Sequence, residues 1–420
     1  MKPVAIFAAA FLLILSPAHA QKSSDHAQLA EAWSTFADEI RALGPWLMEQ
    51  KGLPLDDPQV ASTAYRYLAT LLYIGLDMHL LNADPDRPEW SVSFAPHAPY
   101  GGDHRDGVYH GTIVDPKGIY RVTGKSRGGI PTFANIQTQD GWWQPGRGNK
   151  TLETLDVLKQ ELEPDGSFEL IIGGPKRDSN WVALAPEASH MMFRQYISDD
   201  QREQLYDITI KRIDQPAPEV VAADTPEELS KKLQNAAGFV RHLAEAFIPT
   251  SQASFQQVNK LITLSPEERA AMGANEANAF WIGSWDLGPE EALVLELTPV
   301  EAQYWSVKGH NAWFQALPQT KTPMQVNMLE AAYDSDGKVR FVVSEKDPGY
   351  ANWISTGGLR LGILVMRMNN KVGEESVTSQ VVKMSELAKV MPDDSPRVTP
   401  KERAAAMDIK RRQILSRYGR

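Results

Sequence analysis

The feature that most constrains this 420-residue chain is a pattern that occurs twice. Asp165-Gly166 opens the run Phe168-Glu169-Leu170-Ile171-Ile172, followed by a loop with Asn180-Trp181-Val182 and an apolar run closing on Phe193-Arg194. Asp336-Gly337 opens Val339-Arg340-Phe341-Val342-Val343, followed by Asn352-Trp353-Ile354 and an apolar run closing on Met366-Arg367. Gly to Asn spans 14 residues in the first copy and 15 in the second, and Trp to Arg spans 13 and 14. Six features in one order at near-equal spacing mark two related modules.

Within each copy the residues dictate strands. Val339, Phe341 and Val343 alternate with Lys338 and Arg340, and Phe168, Leu170 and Ile172 repeat the period, which is that of a half-buried strand. Asp-Gly before each strand is a turn signal. Leu359 to Met366 is apolar on both faces and suits a strand covered on both sides; Met191 to Tyr196 is its shorter counterpart. Antiparallel pairing of the two strands around the loop would set Arg367 beside Asp336 and Arg194 beside Asp165. Two readings follow. Each arginine closes its hairpin on that aspartate, or each presents its rigid guanidinium fork to an anionic ligand. For Trp181 and Trp353, the alternatives are plugging the sheet edge while the preceding Asn bonds its own loop, or stacking on a ligand.

Residues 1–20 have the form of an export leader: Lys2, an apolar stretch from Val4 to Leu15, and Ala18-His19-Ala20 before Gln21. The apolar stretch is too short for a spanning helix, and no later segment reaches the roughly 18–20 apolar residues required. A periplasmic chain not inserted in the membrane is therefore expected. Without Lys2, 42 of the 43 basic residues stand against 53 acidic ones, a formal charge of −11, which argues against nucleic-acid partners. There is no cysteine, so disulfides, thiol nucleophiles, iron–sulfur clusters and Cys–zinc sites are excluded. No cofactor is expected.

Asp25 to Leu43 has helical spacing, with Leu29, Trp33, Phe36, Ile40 and Leu43 on one stripe and Gly44-Pro45 as the stop. Val60 to Leu81 is a second helix, with His79 as a packed residue. A polar loop holding His97, Asp103, His104, Asp106 and His110 follows. His97, His104 and His110 are weak metal candidates, because no pair has tight ligand spacing, and a solvated loop is the expectation. Thr225-Pro226-x-Glu228, Ser265-Pro266-x-Glu268 and Thr399-Pro400-x-Glu402 each supply an N-cap, a Pro at the first helical position and a Glu two residues after it.

The second copy has denser aromatics. Its elements Tyr304-Trp305-Ser306-Val307, Asp336-Gly337, Asn352-Trp353 and Leu364 to Arg367 resemble a bacterial family known as domain of unknown function 1214. The first copy is similar more weakly, through Asp165-Gly166, Asn180-Trp181 and Phe193-Arg194-Gln195-Tyr196. The resemblance implies jelly-roll-like β modules, commonly paired, in exported proteins, and brings no activity.

The expected fold is mainly β with flanking helices (α+β): two tandem jelly-roll-like β-sandwich modules, an N-terminal helical pair, a helical linker and a C-terminal helix. The divisions are a leader at 1–20, a helical region at 21–84, a first module at 85–215, linker and helices at 216–275, a second module at 276–370 and a tail with a helix at 371–420. The leading expectation is binding of a small organic ligand or carbohydrate among Trp305, Trp313, Trp353 and Trp181, with Arg367 or Arg194 on an anionic group. The alternatives are a hydrolase or lyase using His310 or His190 with Glu345 or Asp347, and a structural or assembly protein without a small ligand. A homo-oligomer is an open alternative.

Overall fold

Both copies become β-sandwiches whose strands follow one order. The computed structural model describes residues 17–94, 97–143, 145–199, 201–217, 219–220, 223–271 and 278–417; most of the expected leader, residues 1–16, lies outside this set. The chain opens with α1 (Pro17–Met48), α2 (Pro58–Leu76) and a π-helical turn at Asp77–Leu81. The first module comprises β1 (Ser91–Phe94), β2 (Gly107–Ile113), β3 (Tyr120–Lys125), β4 (Phe133–Asp140), β5 (Lys150–Asp156), β6 (Phe168–Ile172), β7 (Trp181–Val182), β8 (His190–Tyr196) and β9 (Asp207–Arg212). After α3 (Pro226–Phe255) come β10 (Ile262–Thr263), α4 (Pro266–Ala271), β11 (Asn278–Asp286), β12 (Glu291–Thr298), β13 (Tyr304–His310), β14 (Gln325–Asn327), β15 (Val339–Ser344), β16 (Trp353–Ser355), β17 (Leu361–Asn369) and β18 (Ser376–Lys383). The chain closes with α5 (Leu387–Val390) and α6 (Pro400–Ser416).

The inner sheet of the first module has the order β1-β2-β8-β4-β5 and its outer sheet β7-β6-β3-β9. The second module repeats this as β10-β11-β17-β13-β14 and β16-β15-β12-β18, so every strand has a counterpart in the same place. The equivalence extends to single atoms. Asn180 Nδ2 donates to Glu161 O (2.9 Å) and Glu169 O (3.0 Å), while Glu161 N donates to Asn180 Oδ1 (3.0 Å). Asn352 Nδ2 donates to Ala332 O (2.7 Å) and Arg340 O (3.1 Å), while Ala332 N donates to Asn352 Oδ1 (2.8 Å). Gly166 and Gly337 both take positive φ, 86° and 78°, where a side chain would be strained. Trp181 Nε1 donates to Gly173 O (2.9 Å) and Trp353 Nε1 to Ser344 O (3.1 Å). Each Asn thus ties the segments on either side of the Asp-Gly turn rather than its own loop, and each Trp closes a short parallel edge strand.

The expected hairpin pairing is overturned. β6 and β15 lie in outer sheets, β8 and β17 in inner ones. The arginines therefore never meet the Asp-Gly turns. Asp336 holds Arg340 instead (2.8 Å), and Asp165 accepts from the backbone of Ser167 (2.9 Å). Alternation cannot reveal a crossover between layers, because a strand reads alike in either sheet.

β8 and β17 are buried along their whole length. One face fills the sandwich interior: Met191 and Phe193 pack with Val122 and Leu170, and Leu364, Met366 and Met368 pack with Trp305 and Phe341. The other face, including Met192, Tyr196, Ile363 and Val365, joins one shared core with α2 and α3. Helical capping follows the sequence closely. The Thr225–Glu228 and Thr399–Glu402 boxes are both formed, and Ser265 and Glu268 exchange the same pair of bonds. Two helical expectations fail. α1 continues through Pro45 to Met48, because Leu47 belongs to the shared core and that burial outweighs one missing backbone bond. Trp33 is exposed, and the buried face runs through Ala32, Phe36, Leu43 and Leu47.

Candidate functional site

The two repeated arginines converge where the modules meet. The rings of Tyr109 and Tyr196 stack there at 5.9 Å, with their hydroxyls 2.7 Å apart. Arg194 lies over Tyr109 (5.2 Å) and Arg367 over Phe280 (4.8 Å) and Tyr196 (5.9 Å). Arg367 also donates to both hydroxyls (2.9 and 3.1 Å) and to Gly102 O (3.2 Å). Both arginines are buried. Arg367, expected to face a ligand or its own turn, instead joins the modules.

The polar loop preceding β2 is the other half of this joint. Far from being solvated, Asp103, His104, Arg105 and Asp106 are all buried. Asp106 accepts from Tyr304 (3.0 Å), Gln325 (2.8 Å), Asn327 (2.8 Å) and Arg105 (3.2 Å). Arg105 also pairs with Glu330, which binds Lys410 of α6 (2.7 Å). Lys308 Nζ donates to Gly102 O (2.5 Å) and Asp103 O (2.8 Å), and His310 Nε2 donates to Asp103 O (3.0 Å). Gly102 has φ 73°, and a Cβ there would stand 2.5 Å from Phe314, so only glycine permits this approach. Burial pushes the Lys308 ammonium well below its usual range, and nearby Arg367 adds to the shift. Burial likewise holds His104 and His310 neutral. The interaction partners lie some two hundred residues apart in sequence, which is why charge alone misplaces this loop in solvent.

The remaining candidates scatter. Trp305 is buried inside the second sandwich, edge-on to Phe341 at 6.3 Å. Trp313 stacks on Tyr67 (5.9 Å) and donates to Val60 O (3.0 Å), fixing α2. Trp181 and Trp353 are half-buried at sheet edges, Trp353 beneath Arg403 of α6 (5.1 Å). Density of tryptophan here reflects packing: Trp305 and Trp313 are buried, and Trp181 and Trp353 close sheet edges. Glu345 and Asp347 are exposed, and Asp347 binds Arg403 (2.8 and 3.1 Å), whereas His310 is sealed in the joint. The proposed His–carboxylate pair with His310 is therefore not assembled. Of the weak metal candidates, His104 separates from His97 and His110, which line one cleft. His104 packs against Tyr196 (4.4 Å), His110 against Trp90 (6.5 Å) and His97 against Tyr73 (5.8 Å). Among the described residues no three His, Asp or Glu side chains are placed to hold a metal.

Two clefts open on the first module. One, of about 760 Å³, lies at the open edge of the sandwich beside the end of α6. Tyr73, Trp90, His97, His110 and Tyr206 line it, with Asp77, Asn82 and Arg417. Trp90 Nε1 and His110 Nδ1 are buried there without a hydrogen-bond partner. Burial pushes the His110 imidazole down to about 4. The other, of about 1070 Å³, lies between α3 and β8 and reaches His79 and His190. Of the expected catalytic residues, His190 lines this second cleft. Trp90 and Tyr206 are spaced too far apart in sequence to have been joined by any local motif.

No helix among the described residues is long and apolar enough to cross a membrane. No curated protein matches this chain. Among solved structures, an uncharacterised protein from Burkholderia cenocepacia is similar over 86% of this chain and 99% of its own, with 29% identity and a TM-score of 0.81. The VPA0106 protein from Vibrio parahaemolyticus aligns over 76% of this chain and 98% of its own, at 11% identity and a TM-score of 0.42. The mixed α+β architecture of paired sandwiches is thus shared with the Burkholderia protein. Residues 289–370, from just before β12 to just beyond β17, match the family described as protein of unknown function (DUF1214).

Proposed function

We propose that this is an exported protein that binds a small organic molecule or sugar in the aromatic-lined cleft of its first module. The observation that carries the reading is the ring of Tyr73, Trp90, His97, His110 and Tyr206 around one opening of about 760 Å³, with the Trp90 indole N–H and a His110 nitrogen lacking partners. Ring faces suit the apolar face of a sugar or an aromatic body, and convergent polar atoms fix its orientation. His110 stays uncharged at neutral pH because burial disfavours its imidazolium, so an uncharged, hydrogen-bonding ligand fits better than an anion. The export reading is supported by Lys2, the apolar stretch Val4–Leu15 and Ala18-His19-Ala20.

The test is a thermal-shift panel of monosaccharides and aromatic alcohols on the purified protein. A ligand that raises Tm by several degrees should lose that effect in Tyr73→Ala, which is half-exposed and tolerates truncation, and in His110→Phe. A shift that persists in both variants, or a panel without any hit, overturns the reading. Cell fractionation with N-terminal sequencing tests export separately, with Gln21 expected as the first mature residue.

A further inference from the structure

The larger cleft has a different chemistry. Its floor is His190 on β8 and His79 on the π-helical turn, both 1% exposed, their rings edge-on at 5.7 Å. Ser189 Oγ accepts from Gly141 N (2.9 Å) and stands 2.9 Å from His190 Nδ1. With the serine proton directed at Nδ1, the ring proton of His190 sits on Nε2. That nitrogen is buried, borders the cleft and has no partner. Burial holds the His190 imidazole well below its usual range, and neighbouring His79 adds to this. The floor is therefore neutral and donating.

The rim sorts itself by what is already engaged. Asp86 accepts from Arg212 (2.7 Å) and Gln215 (2.9 Å), Asp224 pairs with Lys232 (2.6 Å), and Glu228 caps Thr225 (2.8 Å). Asp84 accepts from the backbone of Asp86 (2.9 Å). Arg87 and Lys231 also line the cleft and have no ion-pair partner among the described residues. Asp84 and Glu228 keep their charge on the rim, engaged only by backbone and hydroxyl donors, while Arg87 and Lys231 are the cations left to meet a ligand, over a floor that donates as well.

We propose that this second cleft is a binding site for a small oxyanion, a phosphate or carboxylate group, held by the Nε2–H of His190 at depth and by Arg87 and Lys231 at the mouth. It is independent of the aromatic cleft, whose residues it does not share.

Calorimetric titration of the full chain at low ionic strength tests it, with inorganic phosphate and succinate as separate arms and chloride as the control. Saturable binding of phosphate, succinate or both is expected, weakening at least tenfold in the Arg87→Ala/Lys231→Ala double variant. His190→Gln keeps an N–H donor and should bind within about threefold, whereas His190→Leu should lose binding. Both substituted cations lie towards the surface, so the double variant decides the matter even where His190→Leu fails to fold. Bound anion should also raise the His190 pKa, read by NMR of its ring protons. No saturable binding in either anion arm, binding indifferent to the double variant, or binding of zinc ions without either anion would overturn the proposal.

Discussion

The first and second modules share strand order, turn geometry and the Asn and Trp ties, yet meet different surroundings. In the second, the outer face of the outer sheet is covered: Ala292, Val294 and Val342 pack under Tyr350, Leu387 and Met391. In the first, the corresponding strands β3 and β6 show Arg121 and Glu169 to solvent. The inner sheets differ further. Lys308 and His310 on β13 are occupied by carbonyls of the loop from the first module. On β4, their register counterparts Gln137 and Gln139 are buried, and the amide of Gln139 lacks a partner altogether. One copy has become a dock and a frame, while the other keeps both clefts described above. The family match, residues 289–370, covers the docking copy.

The sharpest way to break this contrast is Asp106→Ala. It removes the shared acceptor of Tyr304, Gln325 and Asn327 and one of the two carboxylates that hold Arg105, and each buried donor left unsatisfied costs about 1–3 kcal/mol. Denaturant unfolding should show that loss in one shared transition. Two separate transitions would mean that the modules stand independently.

Acid should strike where the π-helical turn packs His79 against His190 of the first module. Burial lowers His79 from 6.5 to about 4. A depressed folded-state value means that the stability it contributes is present above pH 6.5 and is lost as pH falls through 4. The shift corresponds to roughly 3 kcal/mol at 1.36 kcal/mol per unit. Unfolding free energies measured from pH 7 to 4 should fall more steeply in the native chain than in His79→Phe; parallel curves would contradict the assignment.

The repeat itself is sharpened by comparing Asn352→Ala with Asn180→Ala. Each deletes three hydrogen bonds, worth about 1 kcal/mol apiece, and the more buried Asn352 should cost more, about 3 kcal/mol against about 2 kcal/mol. A neutral result at either position would show that the matching geometry is not matched in energy. Smallest is Asp347→Ala, which releases Arg403 of α6 from a partly exposed pair. It should cost about 0.5–1 kcal/mol and accelerate proteolysis near the C-terminus; an unchanged cleavage rate would argue against that fastening.

Local chemistry was written plainly in the sequence. The capping boxes, the Asp-Gly turns and the strands around Phe168 and Phe341 follow from near-neighbour physics, and so did the paired architecture. What connects distant segments was not. Trp305 and Trp313 look like ligand platforms until the sheet and α2 close over them. Asp103 and Asp106 look wet until Gln319 and Tyr304 supply bonds to them. Arg194 and Arg367 stand out by repetition, but their meeting on one tyrosine pair needs both modules in place. The cleft residues Trp90 and His190 carried no motif beyond their residue type.

The loop at 101–106 grips strands that are synthesised about two hundred residues later, and Arg417 donates back to Arg105 O (2.8 Å). The polar loop of the first module is thus covered only once β13 and β14 are in place, so neither half of the joint is complete without the other.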